Sequence, residues 1–200
     1  MQRGTLVLVS ARLVAVLALA SALTAGAVEG DEGDASPYAQ EGPFVGVRGS
    51  LVTTVFTDDS QGGSVDSAVG LSGILDVGYR LHPHLALEGV LEVAHGANWL
   101  IFDEDYDLTS ATFTANARLF LLPWRAQPYL VAGFGPAITH VDSDSPRKKS
   151  KTRGHFVGRA GLGADFYATE SLSLGLELAF GFGTSDYLQI TPSLGLAYRF

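Results

Sequence analysis

Ten charged residues fall where strand-like alternation would put them on polar faces. Arg48, Arg80, Arg118, Arg159 and Arg199 are the bases, and Asp76, Glu88, Glu92, Asp165 and Glu177 are the acids. Five guanidiniums against five carboxylates suit mutual ion pairing, which is how buried charge is tolerated. Other groupings hold the residue types of catalysis or metal binding. His140, Asp142 and Ser143 could supply base, acid and nucleophile for acyl chemistry. Such a pair needs its side chains aimed at one another, and Ser143 is expected in a charged loop, so an interfacial His and a loop Ser are the plainer reading. His82 and His84 flank Pro83. A stable metal site wants three or four ligands, and a turn is expected there. Gly161-Leu162-Gly163 lacks the helix that a phosphate-binding loop needs. No metal and no cofactor is expected. Arg147, Lys148, Lys149, Lys151 and Arg153 form a basic segment that could meet the phosphates of an anionic partner. Asp142 and Asp144 could equally balance it in a solvated loop.

The elements that must position these residues alternate with a period of two, the mark of strands with one apolar and one polar face. Eight such segments are read, at about 44–56, 69–80, 85–99, 109–122, 128–141, 155–167, 172–182 and 189–200. In the seventh, Leu172, Leu174, Leu176, Leu178, Phe180 and Phe182 alternate with Ser173, Gly175, Glu177, Ala179 and Gly181. The eighth ends on Tyr198, Arg199 and Phe200. An even number of evenly spaced strands predicts an all-β fold, an eight-stranded antiparallel up-and-down transmembrane β-barrel.

The connections segregate. Short ones, such as His82–His84 and Thr169–Ser171, follow even strands. Longer, charged ones follow odd strands, at 57–68, 100–108 and 142–154, with a short last one at 183–187. Short periplasmic turns at one rim and long extracellular loops at the other are the outer-membrane pattern.

The charges choose which face meets lipid. With the Leu and Phe faces outward, all ten charges meet one another inside. Reversed, each mid-strand Arg would meet hydrocarbon at roughly 2–4 kcal/mol, and several would rival a domain's whole stability of ~5–15 kcal/mol. The aromatics are expected as two interfacial girdles. Tyr79, Trp124, Tyr129, Phe166, Tyr198 and Phe200 lie toward one rim, and Phe56, Trp99, Phe102, Phe113 and Phe182 toward the other.

The N-terminus reads as a targeting segment. Arg3 and Arg12 accompany the short apolar run Leu13 to Leu23, and Ala25-Gly26-Ala27 has the small-x-small form of a cleavage site. Residues 1–27 are therefore expected to be a signal peptide and 28–41 an acidic disordered linker, with the barrel at 42–200. Without Arg3 and Arg12, 11 basic and 21 acidic residues remain, a net charge of −10. That balance argues against nucleic acid. Cys is absent, so there is no disulfide framework.

Three features carry a resemblance: the eight strands behind a signal peptide, the segment Pro128-Tyr129-Leu130-Val131-Ala132-Gly133-Phe134-Gly135, and the terminal Tyr198-Arg199-Phe200. From Gly42 onward the chain resembles the small outer-membrane β-barrel family that includes OmpX and the transmembrane domain of OmpA. The resemblance implies Sec export to the bacterial outer membrane, with outer-membrane lipid and lipopolysaccharide as partners. It also implies that the assembly machinery reads Tyr198 and Phe200, and no peptidoglycan-binding domain is expected after the barrel. A non-enzymatic monomer is expected, its lumen plugged by the charge network, acting in envelope integrity or surface contact. The alternatives are a narrow channel or carrier for small apolar molecules and, behind it, a lipid A-modifying enzyme.

Overall fold

The structure, a computed structural model, describes residues 36–58, 64–97, 106–143, 150–183 and 187–200. Eight strands run in chain order: β1 (Gly42–Asp58), β2 (Ser64–His82), β3 (Leu85–Ala97), β4 (Tyr106–Phe120), β5 (Ala126–Ser143), β6 (Lys151–Tyr167), β7 (Leu172–Gly183) and β8 (Tyr187–Arg199). Each pairs antiparallel with its neighbours, and β1 pairs with β8, closing a barrel. Closure leaves no exposed strand edge, which hydrocarbon would not tolerate.

The register fixes the stagger. One inner row runs Arg153, Thr139, Ser110, Ala94, Ser72, Ser50, Ser193, Glu177, Gly163. It leaves β6 at Arg153 and returns at Gly163, ten residues further along. A stagger of that kind goes with strongly tilted strands, roughly 35–45° from the barrel axis.

Burial follows the alternation. Leu85, Leu87, Leu91 and Val93 face outward on β3, while Ala86, Glu88, Val90, Glu92 and Ala94 are buried. Leu85 to Val93 spans nine residues. At ~3.3 Å per residue and a ~45° tilt this gives an apolar band roughly 20 Å tall, near the ~25 Å expected of such barrels.

The structure departs from the expectations above in several places. The β5–β6 hairpin reaches further than the alternation suggests, since Thr139, His140 and Val141 pair with Arg153, Thr152 and Lys151. Lys151 and Arg153 therefore lie on β6 and not in a loop, because the β-branched Thr139, Val141 and Thr152 favour continued pairing. Tyr129 is not part of a girdle. It is 2 % exposed and points into the lumen, because it shares the inward parity of Gln127 and Val131. A Cβ at its cross-strand partner Gly163 would lie 2.5 Å from Tyr129 Cζ, so the glycine makes room for the ring. Phe113 pairs with Leu91, inside the apolar band. Tyr79, Trp124, Phe166, Phe182, Tyr198 and Phe200 are exposed. Trp99 and Phe102, and the side chain of Phe56, lie outside the described residues.

Ser36–Glu41, expected as the end of the unstructured lead-in, forms a turn in which Ala39 N–H donates to Ser36 O at 2.9 Å and Ala39 is 2 % exposed. Residues 28–35 and the expected signal peptide lie outside the described residues.

Two prolines interrupt the ladder. Pairing of β4 with β5 stops at Thr112↔Ala137 and resumes at Ala115↔Phe134, around Pro136. Pairing of β1 with β8 stops at Ser50↔Ser193 and resumes at Thr53↔Ile190, around Pro192. Proline has no N–H to donate. The backbones stay close at the first break, where a Cβ on Gly135 would sit 2.9 Å from Thr114 Cα.

Candidate functional site

The ten charges selected by alternation are all buried in the lumen, the most exposed being Arg48 at 8 %. Eight of them join into one network. Glu177 on β7 is its hub. Arg48 Nη1 donates to Glu177 Oε2 at 2.6 Å, Arg159 Nη2 to Oε1 at 2.7 Å, and Tyr129 Oη to Oε2 at 3.0 Å. Arg118 Nη2 lies 3.8 Å from Oε2. The outer contacts extend from those three arginines. Arg48 Nε donates to Asp76 at 3.0 Å, Arg159 Nη1 to Glu92 at 3.0 Å and Arg118 Nη1 to Asp165 at 3.3 Å. Arg118 Nη2 also pairs with Glu88 at 2.7 Å.

Neutral groups complete the carboxylates. Glu92 Oε1 accepts from Gln189 Nε2 at 2.8 Å and from Ser72 Oγ at 3.2 Å, and Ser72 bonds Ser50 at 2.6 Å. Asn116 Nδ2 donates to Glu88 Oε1 at 3.3 Å. Buried ions persist where counter-charges and further hydrogen bonds fill their remaining valences.

Arg80 and Arg199 are not part of that network, contrary to the simple pairing of five bases with five acids. They turn to carbonyl oxygens at the end of the barrel that holds the short turns. Arg199 donates to Tyr38 O at 2.8 Å, Pro37 O at 2.9 Å and Gln40 O at 3.4 Å, and also to Glu170 O. Arg80 donates to Gln127 Oε1 at 2.8 Å, Tyr38 O at 3.3 Å and His82 O at 3.4 Å, and also to Pro83 O. Gln127 Nε2 also donates to Tyr38 O, at 2.8 Å. The two arginines thus tie the 36–41 turn across the mouth of the barrel.

An aromatic layer lies between this tie and the hub, and the alternation of charges gives no sign of it. The Arg80 guanidinium sits 4.0 Å over the Phe120 ring, Arg118 4.3 Å over Tyr129 and Arg199 5.3 Å over Tyr167. Phe44 packs on the same cluster. Cation–π contacts of this kind gain strength when desolvated. The signal for the layer is in parity. Phe120 lies two residues beyond Arg118, and Tyr167 two beyond Asp165.

One cavity, of about 20 Å³, is lined by Arg80, Arg118, Phe120, Asp165 and Tyr167. Another, of about 10 Å³, is lined by Glu92, Thr112, Thr114, Arg159 and Gln189. A single water needs ~10–15 Å³, so each has room for about one.

His140 Nδ1 bonds Thr152 Oγ1 at 2.7 Å. The side chains of Asp142 and Ser143 lie outside the described residues. His84 Nδ1 bonds Phe120 O at 2.8 Å, and His84 N–H donates to His82 Nδ1 at 3.3 Å, so both rings brace their turn. Among the described residues no group of three or more His, Cys, Asp or Glu could hold a metal. In the basic segment, Thr152 and Arg153 are exposed, and Arg147, Lys148 and Lys149 lie outside the described residues. Tyr198 and Phe200 face outward with ring centroids 5.1 Å apart, edge to face.

Comparison with known proteins agrees with this architecture. Neisserial surface protein A is 18 % identical with a TM-score of 0.58, over 79 % of this chain and 97 % of that one. The attachment invasion locus protein Ail of Yersinia pestis is 20 % identical with a TM-score of 0.54, over 80 % and 100 %. OprG of Pseudomonas aeruginosa is 18 % identical with a TM-score of 0.51, over 82 % and 98 %. At these identities the likeness is one of fold. No curated protein matches the sequence. The model of the outer membrane protein beta-barrel domain matches residues 14–200, and the chain belongs to that family of bacterial outer-membrane barrels.

Proposed function

We propose that this chain is a non-enzymatic outer-membrane barrel with an occluded lumen, acting in envelope integrity or surface contact. The observation that carries the reading is the hub at Glu177, where three arginines from β1, β4 and β6 meet one buried carboxylate. No wide aqueous path passes such a plug, and the tied turn at 36–41 narrows the mouth below it. Residues 1–27 direct export. Lys148 and its neighbours face outside the cell and meet phosphates of lipopolysaccharide, while Tyr198 and Phe200 serve the assembly machinery.

Liposome swelling tests the occlusion. Vesicles holding the refolded protein are expected to swell in arabinose no faster than empty vesicles, and swelling at porin rates would overturn the reading. Mass spectrometry of lipid A from cells with and without the protein tests the absence of enzymatic action, with identical spectra expected. Protease shaving of intact cells at Lys148–Lys151 tests the orientation. The carrier or channel reading rests on the ladder breaks at Pro136 and Pro192. Against it stands a polar lumen with water-sized cavities, which suits no apolar cargo.

A further inference from the structure

Positive charge is left to be matched at the turn end of the lumen. Arg80 and Arg199 are 2 % and 6 % exposed. Among the described residues neither forms an ion pair with a carboxylate; the ion pairs of the lumen belong to Arg48, Arg118 and Arg159. Carbonyl oxygens and the Gln127 amide take the hydrogen bonds of Arg80 and Arg199, and the rings of Phe120 and Tyr167 face their guanidiniums. Carbonyls and rings bring partial charge only, whereas a buried cation is best offset by a full counter-charge.

Both arginines line the larger cavity, of about 20 Å³, and Arg118 is the third arginine in its lining. The Nη atoms of Arg118 reach Glu88, Asp165 and Glu177, but its Nε is buried without a hydrogen-bond partner. The bonds of Arg199 to Pro37, Tyr38, Gln40 and Glu170 all leave from its Nη atoms, so its Nε–H is not spent on them. Asp165 is the one acidic residue lining the cavity, and Tyr167 and Ser173 add hydroxyls. The lining comes from β2, β4, β6, β7 and β8, so only the closed barrel assembles it. The smaller cavity is lined by one arginine and one glutamate, Arg159 and Glu92, and has no such excess.

The larger cavity therefore combines positive charge, N–H and O–H donors, and more room than the ~10–15 Å³ that one water needs. That room suits a monatomic anion and is too small for sulfate or phosphate. We propose that this cavity is a halide site, in which a chloride ion accepts from Arg118 Nε and supplies the counter-charge that Arg80 and Arg199 lack. Arg199 links the ion to the 36–41 turn.

Nuclear magnetic resonance of the full chain tests the site, with protein refolded into micelles in sodium chloride, bromide or sulfate at equal ionic strength. The signal of Arg118 Nε–H is expected to shift saturably with chloride and with bromide, and sulfate is expected to leave it in place. S173D sets a fixed carboxylate in the cavity lining. It is expected to lose the halide response while keeping its heat-dependent gel shift. R199Q is expected to need about tenfold more chloride for half-saturation, and it reads the site independently should S173D fail to fold. A shift equal in chloride and sulfate, or linear in salt without saturation, would mean that the cavity holds water only and overturns the proposal. So does an unchanged halide response in either folded variant.

Discussion

Glu177 is the residue with most at stake. Its side chain is fully buried and engages Arg48 and Arg159 at 2.6 and 2.7 Å. Truncation leaves three guanidiniums short of a counter-charge, a loss of ~3–5 kcal/mol. Glu177→Ala is therefore expected to lower the denaturant midpoint of the refolded barrel well below that of Ser143→Ala, read by the gel shift of unboiled samples. Equal midpoints would show that the hub carries no stability. Parity makes all ten lumen charges legible in the sequence, because a mid-strand charge has only one tolerable face. Their partners are not legible there. Arg48 and Glu177 lie 129 residues apart and meet only through the stagger of the closed barrel. Tyr129 shows two sequence signals in conflict. Its place near a strand end suggests an interfacial girdle, whereas its parity with Gln127 and Val131 assigns the ring to the lumen, and parity prevails.

At the scale of elements, the strands are visible in the sequence because each alternates lipid-facing and lumen-facing residues. Their outer ends are less so, since β5 and β6 keep pairing beyond the apolar band, where no burial signal remains. The lead-in is harder still to read. Its acidic composition suggests no structure, yet the carbonyls of Pro37, Tyr38 and Gln40 satisfy Arg199 from β8. That clasp joins the segment before β1 to the last strand, across the seam that closes the barrel. Arg199→Gln is expected to free the turn, cost about 1–3 kcal/mol and speed amide hydrogen exchange at Tyr38–Gln40. Unchanged exchange there would mean the clasp is not what holds the turn. The lipid-facing wall has its own test. Leu91→Arg is expected to destabilise the barrel in lipid vesicles by ~2–4 kcal/mol, whereas a matching loss at Thr114→Val, inside the lumen, is not expected.

For the whole molecule, the lumen charges balance but are unevenly placed. Three guanidiniums face five carboxylates in the network around Glu177, while Arg80 and Arg199 lie at the turn end against carbonyls and aromatic rings. The barrel is thus filled from the mouth with the short turns upward by a tied turn, an aromatic–arginine layer and an ion-pair hub. Composition and alternation show that such a plug is possible, and the three-dimensional register shows which residues of its layers meet; that the layers leave no open path is the claim of the proposed function. Planar-bilayer recording of the purified full chain tests that claim most directly. The bilayer is expected to stay electrically silent, or nearly so, for the unmodified protein, and to show increased conductance once Glu177→Ala and Arg118→Ala together remove the hub. Large, stable conductance from the unmodified protein would contradict the occluded lumen.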